Sequence, residues 1–275
     1  ALYLCIMSFF TDKGKPFVVA GPCSAESREQ VMAIAEAIRH MPVHLFRAGV
    51  WKPRTRPGSF EGMGEEALQW LKEVQEAYNM PVTVEVATPA HVELALKYGM
   101  DVLWLGARTT VNPFLVQRIA ETLQGVKIPV MVKNPVNPDV DLWQGAIERL
   151  ASMGITDVAA VHRGFSTYNA ASAYRNQPNW PIPIELKRRM PELPIICDPS
   201  HITGNRDMVA GIAQKAMDMG FEGLMIETHI NPEKALSDSA QQITPAALEL
   251  LLSQLVVRDS KGDGLSREMG LEYLR

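Results

Sequence analysis

Eight short runs of apolar and β-branched residues recur along this chain, with helical stretches between them. The runs are Phe17–Cys23, His44–Ala48, Val82–Ala87, Val102–Gly106, Val130–Lys133, Val158–His162, Ile195–Asp198 and Gly223–His229. The amphipathic segments include Arg28–Arg39, Glu65–Tyr78, Pro89–Tyr98, Pro113–Leu123, Leu142–Met153 and Arg206–Met219. A strand joined to the next strand through a helix implies a right-handed crossover and parallel pairing. Eight such units predict an α/β fold, a (β/α)8 TIM barrel over residues 17–257 that ends on a helix at Pro245–Val256. A doubly wound open sheet uses the same alternation. Its dinucleotide fingerprint is mimicked by Gly62–Ala67, but the preceding strand ends too early, and Glu65 and Glu66 would stand where a pyrophosphate sits.

Composition narrows the function classes. The net charge of −4 offers no general attraction to nucleic acid or to an anionic membrane, so any basic cluster must be local. Three cysteines are too few for a disulfide scaffold and fit a reducing compartment, so a cytoplasmic location is expected. No apolar run is long enough to span a bilayer. Residues 1–16 are expected to form a lead-in strand or packing arm. Residues 258–275 read as a linker followed by the opening of another helix.

Chemistry in such a barrel belongs at the C-terminal strand ends. Taken in order, those ends carry Cys23, Arg47, Glu85, Arg108, Lys133, Arg163, His201 and Glu227. Strand eight closes against strand one, which would bring Cys23, His201, Glu227 and the following Asp238 together. Thiolate, imidazole and two carboxylates suit a divalent transition metal. His229 shares a strand face with Glu227 and is a rival ligand or a supporting partner. A lone Cys or His is more often a packed structural residue, and Cys197 fits that description. Barrel closure reverses the odds for Cys23 and His201. The second set is cationic: Arg47, Lys52, Arg54, Arg108, Lys133 and Arg163. Several cations facing one mouth repel each other unless several anionic groups lie among them. Glu85 could offset part of that charge or position a water.

The segments Ala-Gly-Pro-Cys-Ser-Ala-Glu-Ser, Phe-Arg-Ala-Gly, Lys-Pro-Arg-Thr, Gly-Ala-Arg-Thr, Val-Lys-Asn-Pro, His-Arg-Gly, Asp-Pro-Ser-His, Glu-Thr-His and Ser-Asp-Ser-Ala-Gln-Gln run in order to Gln242. Together they resemble the 3-deoxy-D-arabino-heptulosonate 7-phosphate (DAHP) synthase family, type I. The resemblance implies condensation of phosphoenolpyruvate with erythrose 4-phosphate and release of phosphate, the first step of the shikimate pathway. It implies metal ligation by Cys23, His201, Glu227 and Asp238, with Mn2+ ahead of Fe2+, Co2+ or Zn2+. It implies that Arg47, Lys52, Arg108, Lys133 and Arg163 hold phosphoenolpyruvate, and that Arg54 and Thr55 take the erythrose phosphate. Lys52, Lys133 and His201 are the catalytic candidates, any of which could protonate the forming alkoxide; a metal-bound water is another.

The related 3-deoxy-D-manno-octulosonate 8-phosphate synthases, which use arabinose 5-phosphate, typically carry Lys-Ala-Asn-Arg where this chain has Lys52-Pro53-Arg54-Thr55. Some of those enzymes need no metal and have Asn at the Cys23 position, so Cys23 predicts metal dependence. A sugar-phosphate-binding barrel without catalysis is the reading from a different class, and it has no use for the metal donors. The resemblance also implies a homodimer or homotetramer. The end of the chain resembles the start of a fused chorismate mutase domain, as if cut before that domain.

Overall fold

The computed structural model describes residues 8–12, 14–52, 57–168 and 171–257. Arg54, Thr55 and residues 258–275, where the opening of another helix is expected, lie outside the described residues. The eight strands are β1 (Phe17–Gly21), β2 (Leu45–Arg47), β3 (Val82–Val86), β4 (Val102–Leu105), β5 (Val130–Lys133), β6 (Val158–His162), β7 (Ile195–Cys197) and β8 (Gly223–Glu227). All pair in parallel, in sequence order, and the sheet closes through β8 onto β1 with Gly21 opposite Glu227. The predicted TIM barrel is therefore the fold.

Successive strand residues point to opposite faces, and this alternation builds two cores. Phe17 and Val19, Leu45, Val102 and Trp104, Met131, Ala159 and Val161, Ile196 and Met225 fill the barrel interior. Their neighbours Val18 and Ala20, Phe46, Leu103 and Leu105, Val130 and Val132 face the surrounding helices. The lead-in closes the N-terminal end: Phe10 is fully buried and meets the Phe17 ring edge-on at 5.7 Å. Ser8 Oγ donates to Asp157 at 2.8 Å.

Helices start on residues that can satisfy their free amides. Ser27, Thr88, Asn112, Asp139 and Thr244 each accept from the amide three residues on. The differences from expectation are local. The Arg206–Met219 segment opens as a 3-10 turn at Arg206–Met208 before the α-helix Val209–Asp218. A helix at Pro181–Arg189 has no counterpart in the predicted elements, because its two prolines mask it; both fall within the first turn, where a missing N–H costs little. Short helices at Ala107–Thr110 and Pro199–Thr203 occupy predicted loops. Among the described residues no helix is long and apolar enough to cross a membrane.

Candidate active site

The alternation that fills the barrel also sets its chemistry. Two residues beyond inward-facing Leu45, Met131, Ile196 and Met225 come Arg47, Lys133, Asp198 and Glu227, so each strand ends by turning a charged side chain inward. A cavity of about 310 Å3 opens at this end, lined by Lys52, Ser59, Glu85, Gly106, Ala107, Arg108, Lys133, Val136, Arg163, Ser166, Arg175, His201 and Asp238.

On one wall stand the metal-ligand candidates. Ligand atoms of Cys23, Glu227 and Asp238 lie within 4.8 Å of one another. Cys23 Sγ is 3.5 Å from Asp238 Oδ2. His201 Nε2 lies 3.6 Å from Glu227 Oε1 and 4.0 Å from Asp238 Oδ2. Burial, together with the Glu227 charge, pushes the Cys23 thiol up to about 12. Burial also opposes ionisation of both carboxylates, but His201 with Arg47 outweighs it at Glu227, and His201 with Arg175 at Asp238, so both stay anionic. Burial pulls His201 below its ordinary value, against the pull of Asp198, which eases the loss of its ring proton to a metal. Glu227 Oε1 is buried and accepts no hydrogen bond; its contact is ionic, with Arg47 Nη2 at 3.1 Å. Three anionic-capable donors, with the His201 imidazole beside two of them and Glu227 Oε1 free of hydrogen bonds, suit a divalent cation, which would also bring the thiol to thiolate.

The cations surround this wall. Lys52 Nζ donates to Cys23 Sγ at 3.0 Å and to the Cys23 carbonyl at 3.2 Å. Burial works against the Lys52 charge, but Cys23, Glu227 and Glu85 together hold its pKa above the ordinary value. Arg47 is fully buried, bonds to the Pro22 and Cys23 carbonyls, and lies over the Trp104 ring at 5.0 Å. Its Nη1 is buried without a hydrogen-bond partner. Arg163 donates to Asn176 Oδ1 at 2.8 Å, and burial lowers its pKa to about 10. Lys133 Nζ donates to Asp198 Oδ2 at 2.9 Å. Glu85 sits tight on Gly106, where a Cβ would fall 2.0 Å from Glu85 Oε1.

Several contributors escaped the sequence reading. Asp198 joins Lys133 to His201, whose Nδ1 lies 2.8 Å from the same carboxylate oxygen. Burial opposes its charge, yet His201 and Lys133 hold it well below the usual carboxylate range. Strand parity in β7 marks Asp198 as inward-facing and could have found it. Arg175 reaches the cavity from the loop after β6, a position with no periodic signal. His229 is placed elsewhere: Nδ1 accepts from Asn231 at 2.9 Å and Nε2 lies 3.8 Å from Glu26. β8 stops at Glu227, so the inward alternation does not extend two residues further.

A family model described as the DAHP synthetase I family matches residues 8–261. The chain is 33% identical over 226 residues to phospho-2-dehydro-3-deoxyheptonate aldolase of Thermotoga maritima, a match covering 82% of this chain and 64% of that protein. It is 26% identical to 2-dehydro-3-deoxyphosphooctonate aldolase of a Cyanothece species, over 88% of this chain and 92% of that one. A solved DAHP synthase structure from Thermotoga maritima superposes with a TM-score of 0.78 at 29% identity, covering 94% of this chain and 71% of the other. A truncated form of that Thermotoga enzyme gives 0.75 at 28% identity, covering 94% and 90%.

Proposed function

Because the chain belongs to the DAHP synthetase I family, we propose that it condenses phosphoenolpyruvate with erythrose 4-phosphate, giving DAHP and inorganic phosphate. The observation that carries this reading is the meeting, in one cavity, of His201 and Asp238 of the metal set with Lys52, Arg108, Lys133 and Arg163. A single phosphate would not need that many cations; a phosphorylated carboxylate and a second phosphate would.

Cys23, His201, Glu227 and Asp238 would hold a divalent ion, Mn2+ foremost, which supplies Lewis acidity to an aldehyde oxygen. The remaining steps fall to the protein's side chains. Arg108 and Arg163 hold the phosphate of phosphoenolpyruvate and stabilise it as it departs. Arg47, whose Nη1 is buried without a hydrogen-bond partner, takes the carboxylate. C3 of phosphoenolpyruvate forms the new bond to the aldehyde carbon, water adds at C2, and the C2–O bond to phosphate breaks. Glu85 orients that water. The forming alkoxide takes a proton from Lys52, whose ammonium stands beside Cys23, whereas Lys133 is committed to Asp198. Of the two protons of the added water, one restores that ammonium and one leaves with the phosphate. Arg54 and Thr55 take the phosphate of erythrose 4-phosphate. The family resemblance also supports a homodimer or homotetramer.

Phosphate release from phosphoenolpyruvate, measured with each aldose phosphate, tests this function. Turnover with erythrose 4-phosphate that chelation abolishes and Mn2+ restores is expected. Turnover with arabinose 5-phosphate alone would assign the octulosonate reaction instead, and turnover indifferent to thorough chelation would remove the metal.

A further inference from the structure

In each carboxylate of the metal set one oxygen meets a supporting side chain outside the cluster and the other faces the cluster. Asp238 Oδ1 is paired with Arg175 Nη1 at 3.0 Å, while Oδ2 faces Cys23 Sγ and His201 Nε2. Glu227 Oε2 accepts from Gln241 Nε2 at 2.7 Å, while Oε1, ion-paired to Arg47 Nη2 at 3.1 Å, faces His201 Nε2 at 3.6 Å. The two partners are themselves joined, because Arg175 Nη1 also donates to Gln241 Oε1 at 2.7 Å. One guanidinium nitrogen and one amide thus span both carboxylates.

This link is built into the fold. The Arg175 amide bonds to the Thr203 carbonyl at 3.2 Å, and its side-chain stem lies on Gly204, where a Cβ would come within 2.6 Å of Arg175 Cβ. Gly204 also has φ +64, so the residue that ends the helix after β7 clears the path for Arg175. Gln241 is buried. Asp238 itself sits at φ 44, a backbone state that a non-glycine residue keeps only when its surroundings hold it there.

We propose that Arg175 and Gln241 are positioning residues that restrict Asp238 and Glu227 to one coordinating oxygen each. With Cys23 and His201, that makes four single-atom donors and leaves open positions for a substrate oxygen. Freed from its partner, either carboxylate can chelate through both oxygens and fill one of those positions. The inference rests on the metal-binding reading above.

Mn2+ affinity by calorimetry and the visible absorption spectrum of the Co2+-loaded protein test it, on Arg175→Gln and, independently, Gln241→Ala. Each variant is expected to bind Mn2+ about tenfold or more weakly, within the range that such supporting contacts carry. Each should also show weaker Co2+ absorption, as the coordination number rises. Arg175→Lys, which retains a donor, should recover most of the affinity. The double variant should cost little beyond the worse single one, because the residues act as a unit. Unaltered Mn2+ affinity and Co2+ spectra in both single variants would overturn the inference, even if KM for a sugar phosphate rose, since Arg175 would then serve the substrate alone. A wild-type protein that binds no Mn2+ would instead remove the metal reading itself.

Discussion

His162 gives the chain a built-in sensitivity to acid. Parity in β6 turns Arg163 inward and His162 outward, into a cage where Trp180, Phe165, Phe221 and Trp143 lie with ring centroids 5.1 to 6.5 Å away. The imidazole is fully buried. Burial first, and the neighbouring Arg163 charge second, drive its pKa from 6.5 down to about 3; Asp198 and the Pro178 carbonyl oppose the shift. The unfolded chain therefore binds a proton below 6.5 that the folded chain refuses until about 3. Stability contributed by the neutral ring is complete above 6.5 and falls as pH drops through that window. At about 1.36 kcal/mol for each pH unit below the unfolded value, the loss at about pH 5 is about 2 kcal/mol. Urea unfolding at about pH 7.5 and about pH 5, followed by tryptophan fluorescence and by circular dichroism so that coincident curves certify one transition, reads it directly. Wild type should lose about 2 kcal/mol more between the two conditions than His162→Leu, whose packing difference is common to both and cancels. Equal losses in the two proteins would refute the reasoning.

Asp198→Asn leaves Lys133 buried without its carboxylate, and breaking such a pair should cost about 3–5 kcal/mol, read as a lowered melting temperature. An unchanged melting temperature would mean that Lys133 finds another anion. Gly106→Ala forces Glu85 away from its place on the cavity wall, since the added Cβ would lie 2.0 Å from Oε1. A displacement of that order should lower kcat/KM by about a hundredfold, with wild-type kinetics counting against any role for Glu85.

The barrel was readable because its signal is redundant. Eight strands repeat one pattern, and an error of a residue or two at His44 or His229 leaves the architecture untouched. The site was readable for a narrower reason. Inside a closed parallel barrel, a residue's place on its strand dictates whether it faces the core or the helices, so Arg47, Lys133 and Glu227 are located once the strands are. The rule fails where the strand stops. His229 obeys the period yet faces Glu26, because backbone pairing has by then passed to Ile243.

Residues that arrive from loops obey no period at all, and their placement depends on long-range contacts. Arg175 reaches Asp238 only because 175 and 176 pair their amides with the carbonyls of Thr203 and Ile202 and because Gly204 yields space. Gln241 and Gln242 divide the remaining work: Gln241 binds Glu227, and Gln242 accepts from the Cys23 amide at 3.1 Å and donates to the Ser237 carbonyl at 2.9 Å. The segment after β8 therefore supplies Asp238 as a donor and, within four residues, the two amides that hold donors from β8 and from the end of β1. A metal site assembled across the closing seam of a barrel needs such a tie, since Cys23 and Glu227 lie 204 positions apart in the chain and no local structure couples them. On that argument the Gln-Gln pair belongs to the site as much as the donors do, although neither glutamine lines the cavity.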